Sequence, residues 1–458
     1  MRFRAEVFSC DMLKSVRRIA DIDLNVLKVF IFRLWTIVAG IVTVIVIPRY
    51  LTSELQGYYY TFLSIVALQV LFDLGLSQTV AQVSSHEFAH VDLGMLLDVG
   101  LNTRIGKLAY MKATVTRWYC WIGAAFILVV TLIGAVYFSL FAGKGDAQWF
   151  GPWITLVVTT GINLILIPRI AMVEGAGWTG EVATMRLVQS ICGYGLLAIS
   201  LAAGAGLWSV AAVPAAANIC SFAWLRWRSN PYRMIPAYPS AVYDHAPWRA
   251  EILGLQWRVA VAWLGGYFAS QVIVPVVFAL QGAVEAGKIG LGLQIFSAVQ
   301  ALGMSWVSAR VPLFGQLISR GDYTALKRQF TRAATSATAI SALAALAVGT
   351  VLIGAHHAEV TLADRIPSTL AVATLAGISV LGTVIYVMAA YMRAHKEEPL
   401  VVSSLVIGGM TFIGAVLGGR IGTDEVVLAY AAVTLFLNLP WTVVIFRTYY
   451  RRYSVEVL

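Results

Sequence analysis

Two ionisable residues stand inside long apolar runs near the start of the chain: Arg33 within residues 26–47 and Asp73 within residues 58–83. Hydrocarbon penalises such groups, so they face a protein interior or a watery cavity, where they bind ligands and ions or neutralise one another. Arg33, Thr36, Gly40 and Thr43 are spaced 3, 4 and 3 residues apart, which is one face of a helix, and Gln69, Asp73 and Ser77 follow at steps of four. At about 1.5 Å of rise per residue, Arg33 and Asp73 lie roughly 10 Å from the same face of an antiparallel helix pair. Two readings stand side by side. Either the two polar faces share a hydrated interior, or an Arg33–Asp73 bridge neutralises both charges and sets helix register.

Other polar residues interrupt apolar runs farther along, among them Gln271, Gln294, Asn163, Asn218 and Asn438. Each either bonds a neighbouring helix or contacts a ligand. Arg169, Arg258 and Arg310 sit at the ends of runs, where a long cationic side chain reaches the headgroup layer. No catalytic constellation emerges. His356-His357 with Glu359 does not reach a metal-ligand spacing, and no glycine-rich loop followed by Lys-Ser/Thr supports ATP hydrolysis. Cys10, Cys120, Cys192 and Cys220 lack zinc spacing, and the last three fall in apolar stretches, where they are expected as small core residues. The chain is therefore not expected to be an enzyme or to need a cofactor.

The elements that must position these residues are membrane spans. Hydrophobic residues make up 59% of the 458-residue chain and charged residues 12%, about half the charged share of soluble domains. Mean hydropathy is +0.78. Runs of about 20 apolar residues cross a hydrocarbon core of about 30 Å. Twelve fit, near residues 26–47, 58–83, 119–141, 150–172, 183–205, 208–225, 258–281, 289–312, 333–354, 367–391, 399–418 and 425–446. Residues 1–25 are charged and polar, and the run after them exceeds a signal-peptide apolar region, so it is expected as a retained first span. Residues 48–57 form a polar turn before the second span. Residues 91–110 are expected as an interfacial amphipathic helix. Mid-span Pro214 and Pro275 each remove a backbone hydrogen bond and allow a kink. Tryptophans such as Trp118, Trp121, Trp149, Trp153, Trp224 and Trp227 collect near span ends, as interfacial belts do.

The 33 lysines and arginines are distributed unevenly. Arg33 lies within a span, and Arg49, Lys144, Lys288, Arg365 and Arg420 fall on one side. The remainder fall on the other side, which the positive-inside rule assigns to the cytoplasm together with both termini. This placement accounts for the net charge of +10 without a nucleic-acid partner. Outer connections are short and leave no room for an external catalytic domain. A proline-bearing inner segment, residues 226–257, separates residues 26–225 from 258–446, each half carrying six spans between a segment 1–25 and a tail 447–458. A shift of 230 residues lays Ser53-Glu54-Leu55-Gln56-Gly57 over Ala283-Val284-Glu285-Ala286-Gly287. Repeats with an even number of spans keep one orientation and place a site at their interface.

The stretch Ile47-Pro48-Arg49-Tyr50-Leu51-Thr52-Ser53-Glu54-Leu55-Gln56-Gly57-Tyr58, followed by Asp73-Leu74-Gly75-Leu76, resembles the N-terminal signature of Wzx-type polysaccharide flippases. These are the O-antigen and capsule transporters of the multidrug/oligosaccharidyl-lipid/polysaccharide exporter superfamily. The motif covers about 60 residues, and the twelve-span layout extends it loosely over the chain. The resemblance implies an all-α polytopic protein of two six-helix bundles around a central cavity that opens alternately to each side. It implies a polyprenyl-pyrophosphate-linked oligosaccharide as cargo, moved to the outer leaflet of a bacterial cytoplasmic membrane. Membrane lipid, an H+ or Na+ coupling ion and polysaccharide polymerases are the partners it implies. Guanidinium groups suit phosphate, so Arg33, Arg258 and Arg310 are expected at the pyrophosphate. Asp73 is expected to couple to the ion or hold Arg33, and Thr36, Gln69, Gln271 and Gln294 are expected in the polar cavity. The alternative within the superfamily is a multidrug or toxin cation antiporter. A membrane-embedded glycosyltransferase or polymerase is disfavoured by the short outer loops, and a non-transporting scaffold is the remaining rival.

A fluorescent protein fused after Leu458 is expected to fluoresce in bacterial cells, and alkaline phosphatase inserted at residue 145 is expected to be active. The reverse pair of results would invert the orientation.

Overall fold

The computed structural model describes residues 28, 31–32, 35–36, 38–88, 103–143, 148–227, 231–235, 264–358, 363–395 and 399–455. The described residues are helical throughout, with short turns and no strand. In order these are α1 (Val38–Tyr50), α2 (Ser53–Val66), α3 (Gln69–Asp73), α4 (Leu76–Phe88), α5 (Thr103–Phe141), α6 (Phe150–Gly175), α7 (Thr179–Ala202), α8 (Ala212–Trp227) and α9 (Pro231–Met234). They continue as α10 (Leu264–Ser270), α11 (Ile273–Gln281), α12 (Ala283–Ser308), α13 (Val311–Ser319), α14 (Tyr323–His357), α15 (Thr369–Ala394), α16 (Val401–Gly419), α17 (Thr423–Ala432) and α18 (Leu439–Val455). A π-turn, Val433–Asn438, joins the last two. Ten helical stretches are long and apolar enough to span a membrane, the bent pair α10–α11 makes up to eleven, and α1 is a shorter apolar helix. The layout of about twelve spans follows the hydropathy. Large apolar side chains such as Leu140, Leu343, Val351 and Phe436 point outward, as only a hydrocarbon solvent permits for so many.

Helix starts and breaks have local causes. Thr52 caps α2 by accepting from the Leu55 amide, Asp322 caps α14 from Ala325, and Ser368 caps α15 from Ala371. The expected polar turn at 48–57 is therefore short, because helix occupies both of its ends. The second span is not the continuous helix expected over 58–83. It starts at Ser53 and breaks after α2 and again after α3, where Leu74 (φ 50°) and Gly75 (φ 71°) turn left-handed. A leucine in that region is strained, and the glycine beside it relieves the second position. Pro275 acts as expected. Its missing N–H and its ring disrupt the turn around Gln271, and α10 meets α11 at a bend of 44°. Pro214, by contrast, lies in the first turn of α8, where no bond is lost. Gly282, at φ 92° and ψ 175°, lets α11 reverse directly into α12, a conformation accessible essentially to glycine alone.

Three further expectations change. Residues 103–110 belong to α5, continuous with the third span, rather than to a separate interfacial helix; residues 91–102 lie outside the described set. Trp153 is not a belt residue but fully buried, seated where a side chain at Gly134 would collide with its indole. Cys120 and Cys192 are exposed on the helix surface rather than packed in the core.

The two sequence halves meet through α2 on one side and α11 and α12 on the other. The contact is backbone to backbone: a Cβ at Gly57 would fall 1.8 Å from the Ala283 carbonyl oxygen, and one at Gly287 would fall 2.9 Å from the Gly57 nitrogen. The two glycines are the equivalent positions of the 230-residue repeat. Gln56 reinforces the seam, its Nε2 donating to the carbonyls of Gly287 (2.9 Å) and Arg365 (3.1 Å). Beneath it Tyr58, Phe62, Phe138, Trp153 and Phe278 form an edge-to-face cluster across the same seam. Beyond the break, α4 packs on α6 instead, with Gly175 against the Ala81 carbonyl. Among the described residues the halves are thus in close contact at the Gly57 face, while beyond the break α4 packs within the first half.

Replacing Gly57 by valine is expected to cost about 1–3 kcal/mol through overpacking and to lower the thermal midpoint of the purified protein by several degrees. Gly409→Val, at a position where an added Cβ meets nothing within 4 Å, serves as the control. Equal midpoints for the two variants would refute the seam.

Candidate substrate cavity

Below the seam, α2, α10, α11, α12, α15 and α17 line an open cavity of about 360 Å³. Its wall carries Tyr60 and Ser64 from α2, Gln271 at the α10–α11 bend, Gln294, Ser297 and Gln300 from α12, and Tyr430 from α17. The bend at Pro275 matters here: it stops α10 near Gln271 and leaves that amide at the cavity wall. A second compartment of about 350 Å³ shares Gln300, Ile378 and Tyr430 with the first and runs toward the far face. Thr434 and Asn438 of the π-turn line it, together with Ser403, Ser404 and, at the end of α15, Arg393. A π-turn widens the helix locally and is frequent at functional sites. Among the described residues, neither compartment presents a carboxylate, and the lone cation is Arg393.

Small residues on α12 shape this wall. Gly290 accepts the Tyr60 ring, and Gly303 accepts Thr383 and the Ala337 carbonyl. Tyr60 is 4% exposed. Its hydroxyl is buried without a hydrogen-bond partner, and so is Gln294 Oε1. Leaving a buried polar atom unpaired costs about 1–3 kcal/mol. Two such atoms at one cavity are therefore an arrangement that a ligand or ordered water completes. Nearby, Tyr267 crosses the seam and donates to the Ser64 carbonyl at 3.1 Å.

The far end of α12 carries a second feature. Ser308 and Tyr386 hydroxyls are 2.8 Å apart, joining α12 to α15. Arg393 lies over the Tyr386 ring at 5.8 Å, and Arg310 over Trp306 at 4.7 Å. Arg310 Nη1 is buried without a hydrogen-bond partner. Arg393 thus lines the lower compartment, while Arg310 sits at the α12–α13 turn over the exposed Trp306 ring.

Asp73 is held in a different place. Its Oδ1 accepts from the Tyr119 hydroxyl at 2.6 Å, and its Oδ2 accepts from Ser77 at 2.8 Å. Ser77 lies on α4 and Asp73 on α3, so the carboxylate staples the Leu74–Gly75 break and anchors it to α5.

Of the residues singled out from the sequence, Gln271 and Gln294 line the cavity, whereas Arg310 lines neither compartment. Arg33 and Arg258 lie outside the described residues. Gln69 opens α3, and the Thr36 hydroxyl donates to the Phe32 carbonyl of its own helix; neither lines the two compartments. Tyr60, Gln300, Tyr430 and Arg393 were missed. Their only sequence cue was a polar or aromatic group within or ending an apolar run, which many non-cavity residues share. The outer His356 bonds the Pro367 carbonyl at 2.7 Å. Among the described residues no group of His, Cys, Asp and Glu is arranged to hold a metal.

No protein-family model and no curated protein matches the chain. Solved structures do. An inward-facing multidrug resistance MATE family transporter of the MOP superfamily matches with a TM-score of 0.66 and 14% identity, over 92% of this chain and 95% of that one. The lipid II flippase MurJ, inward closed, matches at 0.60 and 11%, over 94% and 90%. A MATE protein in the bent conformation matches at 0.50 and 13%, over 93% and 95%. The chain therefore has the multi-span helical fold of the MOP-superfamily transporters.

In a variant lacking its four native cysteines and reconstituted in nanodiscs, Ser297→Cys is expected to react with a hydrophilic maleimide. Leu343→Cys, on the outer surface of α14, should not. Equal protection of both would mean that the cavity is not hydrated.

Proposed function

We propose that this protein is a flippase that carries a polyprenyl-pyrophosphate-linked oligosaccharide from the cytoplasmic to the outer leaflet by alternating access. The observation that carries this reading is the neutral lining of the cavity. Its amides and hydroxyls suit a polyhydroxy head, whereas an organic cation meets no carboxylate among the described lining residues. In this reading the Gly57 face is the outside, in line with the positive-inside rule; the seam then acts as an outer gate, and Arg310 and Arg393 are cytoplasmic-side cations. Guanidinium groups on that side suit the pyrophosphate, in concert with the sequence-assigned Arg33 and Arg258. Both the flippase and the multidrug transporter among the similar structures share the fold, so the choice between them rests here on the cavity chemistry. In this reading Asp73, on the α3–α4 break that bends the second span, couples an H+ or Na+ to that bend; coupling requires different ion affinities in the two states.

The test is transbilayer movement of a polyprenyl-pyrophosphate glycan in proteoliposomes. Arg393→Gln is expected to slow it about tenfold or more, the scale of a lost charge-assisted hydrogen bond. Uptake of tetraphenylphosphonium without glycan movement would replace this reading with a cation antiporter. Asp73→Asn is expected to abolish the dependence of the rate on an imposed ion gradient; an unchanged dependence would remove Asp73 from coupling.

A further inference from the structure

We propose that Tyr60 and Gln294 form a hydroxyl-recognising clamp that determines specificity for the sugar head and bridges the two halves when it is bound. The inference rests on the flippase reading and goes beyond it, by locating where the sugar, rather than the phosphate, is recognised. Three observations carry it. Tyr60 is almost fully buried, lines the upper compartment, and has a hydroxyl with no partner. Gln294 lines the same compartment, and its Oε1 is likewise buried and without a partner. The two side chains come from opposite halves, Tyr60 one turn beyond Gly57 on α2 and Gln294 two turns beyond Gly287 on α12.

The chemistry of the pair is selective. A phenol hydroxyl donates, and an amide oxygen accepts. A sugar hydroxyl both accepts and donates, so hydroxyl groups match both atoms. A phosphate oxygen offers nothing to the amide oxygen, and a quaternary cation offers nothing to either. The clamp therefore reads the part of the cargo that carries hydroxyl groups and leaves charge recognition to the cytoplasmic-side arginines. Because each half supplies one member, a bound sugar adds hydrogen bonds across the seam just below its glycine contact. Occupancy then favours the state in which the Gly57 face is sealed, since a ligand stabilises the state it contacts more completely.

The test measures binding by the full-length protein in nanodiscs, with two probes: polyprenyl pyrophosphate bearing N-acetylglucosamine, and the same lipid without sugar. The wild type is expected to prefer the sugar-bearing probe. Tyr60→Phe keeps the ring in its Gly290 groove, and Gln294→Met keeps the side-chain length. Each is expected to lower affinity for the sugar-bearing probe about five- to tenfold and to leave the sugar-free probe unchanged. Without ligand, Tyr60→Phe should melt at or above the wild-type temperature, because it removes a hydroxyl that had no partner. A wild type that discriminates beside variants that discriminate equally well would overturn the clamp and leave the flippase reading standing. Variants weakened equally toward both probes would also overturn it, marking the residues as structural. A wild type that binds both probes alike would overturn the clamp, and one that binds tetraphenylphosphonium and neither lipid probe would remove the flippase reading itself.

Discussion

The approach of Gly57 to Ala283 and Gly287 is the contact on which the arrangement of the two halves depends. Backbone atoms meet where any side chain would intrude, so α2 and α12 lie closer than larger residues allow. That proximity puts Gln56 within reach of carbonyls on the other half. It also brings the aromatic cluster of Tyr58, Phe138 and Phe278 together beneath the seam. Hydrogen bonds and ring contacts then hold what the glycines permit.

Beyond that contact the spans are shaped by breaks rather than by loose packing. The second span leaves α12 after α2, its α3 piece already packing on α5 and α6, and Asp73 ties the left-handed Leu74–Gly75 step that follows to Ser77 and Tyr119. In the second half, Pro275 bends the seventh span and exposes Gln271. Both breaks free polar backbone groups that hydrocarbon would not satisfy, and both lie beside protein or a polar cavity, where such groups are tolerated. A span broken there can move as two pieces, which a continuous helix cannot do.

The cavity separates two kinds of recognition by position. Amides and hydroxyls line its upper part, and the Arg393 guanidinium lines its lower part. A cargo with an uncharged polar head and an anionic linkage would meet both in sequence along one path. Asp73 lies off that path, on α3, among the helices of the first half.

The number and approximate limits of the spans were legible in the sequence, because hydrocarbon imposes a length and an apolarity that each run must meet by itself. So was the equivalence of Gly57 and Gly287, through the short repeat around each. Gln271 and Gln294 were legible as polar residues in apolar surroundings. What only the tertiary structure decided is which polar residues face a common space. Tyr60 reads as one of three consecutive tyrosines, and nothing local shows that its ring fits the groove at Gly290. Arg393 reads as one more cytoplasmic-side arginine until α15 is placed beside α12. The break at Leu74–Gly75 was hidden for the same reason: an apolar run has the same composition straight or bent. Solvent acts on each residue alone and so leaves its mark in the sequence, whereas partners are set by contacts between segments hundreds of residues apart.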